Sequence, residues 1–400
     1  MSITNYLAAT IFTVCLFPSL AADAGEFTTL YSFKGGANGG NPSGSLTYHG
    51  GELYGTLPAY DANLSYMGGV YKVHASNGAY KAIYAFQGGT DGRGPANGVI
   101  YSNGMLYGTT WFGGGGCPSQ GCGTIFSIDA KSGVEHALFN FSPGPNNTPV
   151  GAGALISLAG TLYSTTEIGG TSGKGSIFAF NPTTDSFLTL YNFTGGLDGN
   201  QPNPTLLYQN GLFYGTTQFG GTACTHSSPG GCGTIFTIDP TTGDEAVLHA
   251  FKSGVDGKYP YSNLIYRAGR LTGDTNLGGD RQSCRRGCGV SFFVKTRNGN
   301  ETVINTFATL GESYSGLALV HGVAYEALPY GGSGYGELVQ LDLKSGQQTV
   351  LYTFSGGADG SFPQAALTYH DGALFGTTTS GGNVGCAQQN GCGTVFEFVP

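Results

Sequence analysis

Seven times along this 400-residue chain an oxygen-bearing side chain stands five residues after a recurrent phenylalanine: Asn38, Asp91, Asn146, Asp198, Asp256, Glu312 and Asp359. Carboxylate and amide oxygens gathered around one opening suit Ca²⁺ or a hydroxyl-rich ligand. The same residue types form turns, because Asx side chains bond nearby backbone N–H groups, and Gly follows five of the seven. Glu312 fits the turn role poorly, since its side chain is longer. A second chemistry resides in Trp111, the only tryptophan, with Phe112 beside it; aromatic faces of this kind stack on a sugar or a peptide ring. A third is cationic. Lys252, Lys258, Arg267, Arg270, Arg281, Arg285, Arg286, Lys295 and Arg297 are nine of the 16 Lys and Arg residues. Arg281, Arg285 and Arg286 share one short loop, where guanidinium groups suit carboxylate, sulfate or phosphate.

Nine cysteines are present, and eight fall into local pairs: Cys117 with Cys122, Cys224 with Cys232, Cys284 with Cys288, and Cys386 with Cys392. Repeat units either carry both members or neither, which predicts four short disulfides and an oxidising compartment. Two thiols per loop at varying spacing make a poor tetrahedral metal set. No HExxH, GxSxG or P-loop motif occurs, so no familiar catalytic signature is legible.

These residues are carried by a repeat. The phenylalanine recurs at Phe33, Phe86, Phe141, Phe193, Phe251, Phe307 and Phe354. A YGTT-like core recurs at Tyr54, Tyr107, Tyr163, Tyr214, Thr272, Tyr325 and Phe375, about every 50–58 residues, near the kelch period. Each unit reads as four short strands; in the second these are 98–101, 106–110, 123–129 and 134–141. Such units predict an all-β, seven-bladed β-propeller of four-stranded antiparallel blades. The chain opens, after residue 24, on a fourth strand and ends on a third. The N-terminal strand is therefore expected to complete the last blade and close the ring, removing exposed sheet edges.

The loop face that bears the cysteines is the longer and more varied one, and loops on a rigid scaffold are where binding concentrates. At the position after the YGTT threonines the residue changes from unit to unit: Pro58, Trp111, Glu167, Gln218, Asn276, Pro329 and Thr379. The seven acceptors lie on loops that enter the innermost strand, which places them at the channel mouth.

LYGTT followed by GG and then GTIF or GTVF, at Leu106–Phe126, Phe213–Phe236 and Leu374–Phe396, resembles the GloVer tandem-repeat proteins, exported proteins of bacteria. The resemblance covers 27–400. It departs at LTGDTNLGG in unit 5 and AYEALPYGG in unit 6. It implies fold and export and leaves the activity open.

Residues 1–24 read as a signal peptide, with an apolar stretch from Tyr6 to Leu20 and a small-x-small site at Ala22-Asp23-Ala24. Residues 25–400 then form a single domain, released to the periplasm or the medium, with no membrane span after cleavage. A net charge of −8 argues against nucleic acid as partner. The favoured expectation is a secreted, non-enzymatic binding or surface-interaction propeller for a polysaccharide or other cell-envelope component. The alternatives are a carbohydrate-active hydrolase or lyase with carboxylates at the channel mouth, or a purely structural exported protein.

Overall fold

A computed structural model describes residues 25–36, 39–58, 66–95, 97–117, 120–143, 150–221, 224, 230–279, 284, 287–307, 315–382, 386 and 390–400. The signal-peptide reading, Asn38, Asn146, Glu312 and the Arg281, Arg285 and Arg286 cluster lie outside these residues.

Seven antiparallel sheets follow one another in chain order and build a seven-bladed propeller. Blade 2 is representative, with strands Ile100–Ser102, Met105–Thr110, Thr124–Asp129 and Glu135–Asn140. In blades 4 and 5 a further short strand, Asn200–Pro202 or Lys258–Pro260, joins the second strand ahead of the usual first one. The ring closes as the half-blades at the two ends predict. Glu26–Ser32 pairs antiparallel with Thr394–Val399, from Glu26 opposite Val399 to Ser32 opposite Thr394. No helix among the described residues is long and apolar enough to cross a membrane.

The repeat motif has a physical reason at each letter. Gly108 stands opposite Phe126 on the neighbouring strand, and a Cβ there would collide with the Phe126 ring. Blade 6 has Glu326 at this position, and its partner shrinks to Val339. The first threonine stitches blades together: Thr109 Oγ1 donates to the Gly153 carbonyl at 2.9 Å, and Thr165 Oγ1 to the Asn203 carbonyl at 2.9 Å. The second threonine forms a buried hydroxyl pair with the threonine of GTIF. Thr110 meets Thr124 at 2.9 Å, Thr217 meets Thr234 at 2.8 Å and Thr378 meets Thr394 at 2.9 Å. Left alone, each of these buried hydroxyls would be a penalty.

The repeat phenylalanine is the apolar counterpart of these stitches. Phe86 packs edge-on against Phe126 of the next blade with ring centroids 5.1 Å apart, and Phe193 does the same against Phe236 at 5.2 Å. All seven repeat phenylalanines are buried. The third strands are buried on both faces, so the core is a series of layers between blades rather than one central mass.

All four cysteine pairs are bridged within their loops, with Cα–Cα separations of 5.1, 5.5, 5.4 and 5.8 Å, inside the normal disulfide range. Four such bridges fit an oxidising environment.

Candidate functional site

The seven inner strands surround a narrow channel of about 290 Å³ walled largely by Ser, Gly, Ala, Thr and Asn. On the cysteine-loop face it opens into a cavity of about 270 Å³. Trp111, Glu167 and Gln218 line that cavity from blades 2, 3 and 4, and Asn97, Gln201 and Gln364 are among the residues that complete it. The first three are the residues that follow the YGTT threonines.

Backbone bonding fixes why they arrive there. Beyond the threonines the second strand pairs with the loop that enters its own blade. Trp111 N–H donates to the Gly94 carbonyl at 3.1 Å, and Glu167 N–H to the Gly151 carbonyl at 3.0 Å. Both acceptors are glycines with positive φ. Gln201 takes the same left-handed backbone at φ 55 without being glycine, and its N–H is held by the Lys174 carbonyl at 2.9 Å. Asn41, Tyr259 and Phe362, which also precede a repeat proline, adopt the same backbone in blades 1, 5 and 7, so this conformation belongs to the repeat.

The cavity is amide-rich and carries little charge. No Lys or Arg lines it among the described residues, and Glu167 is its one Asp or Glu. Burial raises the Glu167 carboxyl above the usual carboxylate range. Trp111 Nε1 is buried and has no hydrogen-bond partner among the described residues. An aromatic plate and several amides together can stack on and hydrogen-bond a neutral polyhydroxyl molecule.

Phe112 does not share this cavity. Neighbouring residues of an extended chain point to opposite sides, and Phe112 lies instead under the Arg93 guanidinium, 4.8 Å from its ring centre. The expected pairing of Trp111 with Phe112 on one ligand is therefore corrected.

The acceptor ring is also relocated. Asp91, Asp198, Asp256 and Asp359 bond to the ends of outermost strands and do not line the channel mouth. Asp198 accepts the Thr194 N–H at 2.6 Å, the Thr194 hydroxyl at 2.6 Å and the Tyr191 hydroxyl at 3.1 Å. Asp359 accepts the Ser355 N–H at 2.7 Å and the Tyr352 hydroxyl at 3.0 Å. Asp91 accepts the Tyr84 hydroxyl at 2.8 Å. Their oxygens serve their own turns, and they reach back four and seven residues rather than two residues on.

Three of these aspartates face a glutamate at the start of the next blade's outermost strand. The Glu135 carboxyl hydrogen-bonds Asp91; burial, then that bond and the Asp91 charge, push it up to about 8. Burial pushes Glu245, beside Tyr191 and Asp198, up to about 7. Glu301 is pushed up to about 10 by burial and by Asp256. Burial would raise Asp256 too, yet the neighbouring His249 and Glu301, with the Lys252 backbone N–H donating to it at 2.6 Å, hold it low, at about 2.

Blade 5 keeps its departures inside the fold. Asp274 replaces the first motif threonine, is 1% exposed, and is pushed up to about 6 by burial beside Ser262 and Ser291. Of the cationic residues described there, Arg270 lies over the Phe293 ring at 4.3 Å and Arg267 donates to the Gly322 carbonyl. These two guanidinium groups are engaged locally on the turn side of the blade.

The sequence reading missed Asn203, Tyr261 and Gln364. Each directly follows the repeat proline, as Ser43 does in blade 1, and each lines the cavity. A varying residue after a recurrent proline was the available signal.

Ring closure and seven antiparallel blades, with a cavity at the channel mouth among the described residues, define a closed seven-bladed propeller. The profile of the Gloeobacter/Verrucomicrobia repeat matches residues 10–154 and 59–285. The chain belongs to that repeat family. No curated protein sequence matches it. Among solved structures it is similar to an oligogalacturonate lyase in complex with manganese, at 10% identity and TM-score 0.55, covering 95% of this chain and 94% of that one. It is similar also to the extracellular domain of a one-component system from B. thetaiotaomicron, at 10% identity and TM-score 0.57, covering 92% of this chain and 39% of that one. A 6-phosphogluconolactonase from Bacteroides uniformis matches at 12% identity and TM-score 0.50, covering 76% of this chain and 83% of that one. Likenesses at such identity establish the fold alone.

Proposed function

We propose that this chain is a secreted, non-enzymatic binding propeller whose channel mouth takes a neutral oligosaccharide segment of a polysaccharide or other cell-envelope component. The observation that carries the reading is the convergence of Trp111 with Gln218, Gln201, Gln364 and Asn97 in one cavity. Trp111 supplies the stacking face. The amides supply paired donors and acceptors for sugar hydroxyls. The absence of Lys and Arg among the described lining residues favours a neutral sugar over an acidic one.

A second reading, a glycoside hydrolase or lyase, is favoured by Glu167, because a buried carboxyl of raised pKa is what a general acid requires. Hydrolysis by the usual route needs two carboxyls across the bond, and the described residues around the cavity supply one.

The test is a glycan array probed with the mature protein and with Trp111→Ala and Gln218→Ala, followed by product analysis on every polysaccharide bound. The binding reading expects retention of neutral glycans by the wild type, loss of at least tenfold in affinity in Trp111→Ala, and no released sugars. Chain cleavage abolished by Glu167→Gln would establish the second reading instead. Glycan binding that survives Trp111→Ala would remove the cavity from the account.

A further inference from the structure

At two blade seams a tyrosine, an aspartate and a glutamate meet, as Tyr84, Asp91 and Glu135 and as Tyr191, Asp198 and Glu245; at the seam between blades 4 and 5 a histidine takes the tyrosine's place. His249 stands where Tyr84, Tyr191 and Tyr352 stand elsewhere, two residues before the repeat phenylalanine. It lies on the outermost strand of blade 4, Glu245–Ala250; Asp256 is in the loop that follows, and Glu301 begins the outermost strand of blade 5, Glu301–Thr306. Among the described residues this is the one group of three side chains whose ligand atoms, all within 4.8 Å of one another, could hold a metal ion.

The hydrogen bonding of His249 decides what its second nitrogen can do. Nδ1 lies 3.2 Å from the Gly299 carbonyl. A carbonyl oxygen only accepts, so Nδ1 carries the hydrogen, and in the neutral ring Nε2 presents a lone pair. A backbone carbonyl on the far nitrogen is the usual support of a metal-binding histidine. Nε2 is buried, has no hydrogen-bond partner, and points at two carboxyls: Asp256 Oδ1 at 3.6 Å and Glu301 Oε2 at 3.7 Å. The Glu301 side chain is 8% exposed, and its Oε1 is likewise buried without a partner.

Those separations are too long for hydrogen bonds. They are close to the edge of a tetrahedron around an ion with bonds of about 2.0–2.2 Å, which is roughly 3.3–3.6 Å. One imidazole nitrogen with two carboxylate oxygens suits Zn²⁺ and its neighbours, whereas Ca²⁺ takes an all-oxygen set. Residual exposure of 13% at His249 and 19% at Asp256 leaves a way in from solvent. At three other seams a tyrosine hydroxyl donates to the aspartate; here the imidazole Nε2 faces it without a hydrogen bond.

We propose that His249, Asp256 and Glu301 form a binding site for a divalent transition-metal ion at the outer rim, clipping blade 4 to blade 5. With three protein ligands the fourth position is open to water or to a partner's side chain. The site is remote from the channel mouth and does not depend on what that cavity binds.

The test uses the purified protein after chelator treatment, titrated calorimetrically with Zn²⁺ and, in parallel, with Co²⁺ followed by visible absorption. Expected are one tight Zn²⁺ equivalent, a rise in Tm on loading, a Co²⁺ spectrum of low coordination number, and no competition from Ca²⁺ at tenfold excess. His249→Tyr supplies the residue that bonds the aspartate at the Asp91, Asp198 and Asp359 seams and should fold normally while losing the Zn²⁺-dependent Tm shift. Glu301→Gln should weaken Zn²⁺ at least tenfold. Absence of a tight Zn²⁺ equivalent in the wild type would overturn the proposal, as would Zn²⁺ affinity unchanged in a folded His249→Tyr protein.

Discussion

A glutamate that keeps its proton beside an aspartate makes a blade seam sensitive to pH. Glu135 and Glu245 have folded-state values of about 8 and about 7, against an ordinary 4.5. Between those limits the folded chain holds more protons than the unfolded one, so the free energy of unfolding falls as pH rises through the window. Thermal unfolding should show Tm highest near pH 5 and declining toward pH 9, and the Glu135→Gln, Glu245→Gln double variant should flatten that decline. A Tm that rises with pH over this range would contradict the assignment. At this scale the sequence was partly legible. Trp111 was readable because it is unique and sits at a position that varies between repeats. The aspartates were misplaced because sequence does not tell which way a loop side chain turns. Their glutamate partners begin strands in the next blade, some 44 to 47 residues away.

Strands and loops were the most legible level, since period-2 patterning, turn residues and recurrence all pointed the same way. Gly108 faces Phe126, Glu326 faces Val339 and Ser164 faces Phe178, so a large side chain at the glycine position comes with a smaller partner while a small one is tolerated beside the ring. Gly108→Ala should destabilise by about 1–3 kcal/mol through overpacking against the ring. Phe126→Val alone should also destabilise, by leaving a void. Combined, the two should cost less than their sum, because the smaller partner accepts the new Cβ; a double-mutant cycle by urea denaturation measures the coupling. Strict additivity would mean that the glycine is kept for backbone freedom instead. Asn203 and Gln364 escaped the sequence reading because they follow a proline in an entering loop, where neither helix nor strand periodicity applies.

For the whole molecule, half-blades at the two ends foretold a ring closed by Glu26–Ser32 against Thr394–Val399. Closure brings residues far apart in the chain, such as Trp111 and Gln364, to one opening, and no local pattern could reveal that convergence. The central claim is that this opening is the ligand site, and the chain provides its own reporter, because Trp111 is the sole tryptophan. The most direct measurement is tryptophan emission, excited beyond tyrosine absorption, during titration with the neutral oligosaccharide best retained on the array. The account predicts a saturable shift in emission at one equivalent, retained in Asp198→Ala, whose carboxylate belongs to the outer rim, and reduced at least tenfold in apparent affinity in Gln218→Ala. Binding seen by calorimetry with no change in Trp111 emission, or a shift unaffected by Gln218→Ala, would contradict it.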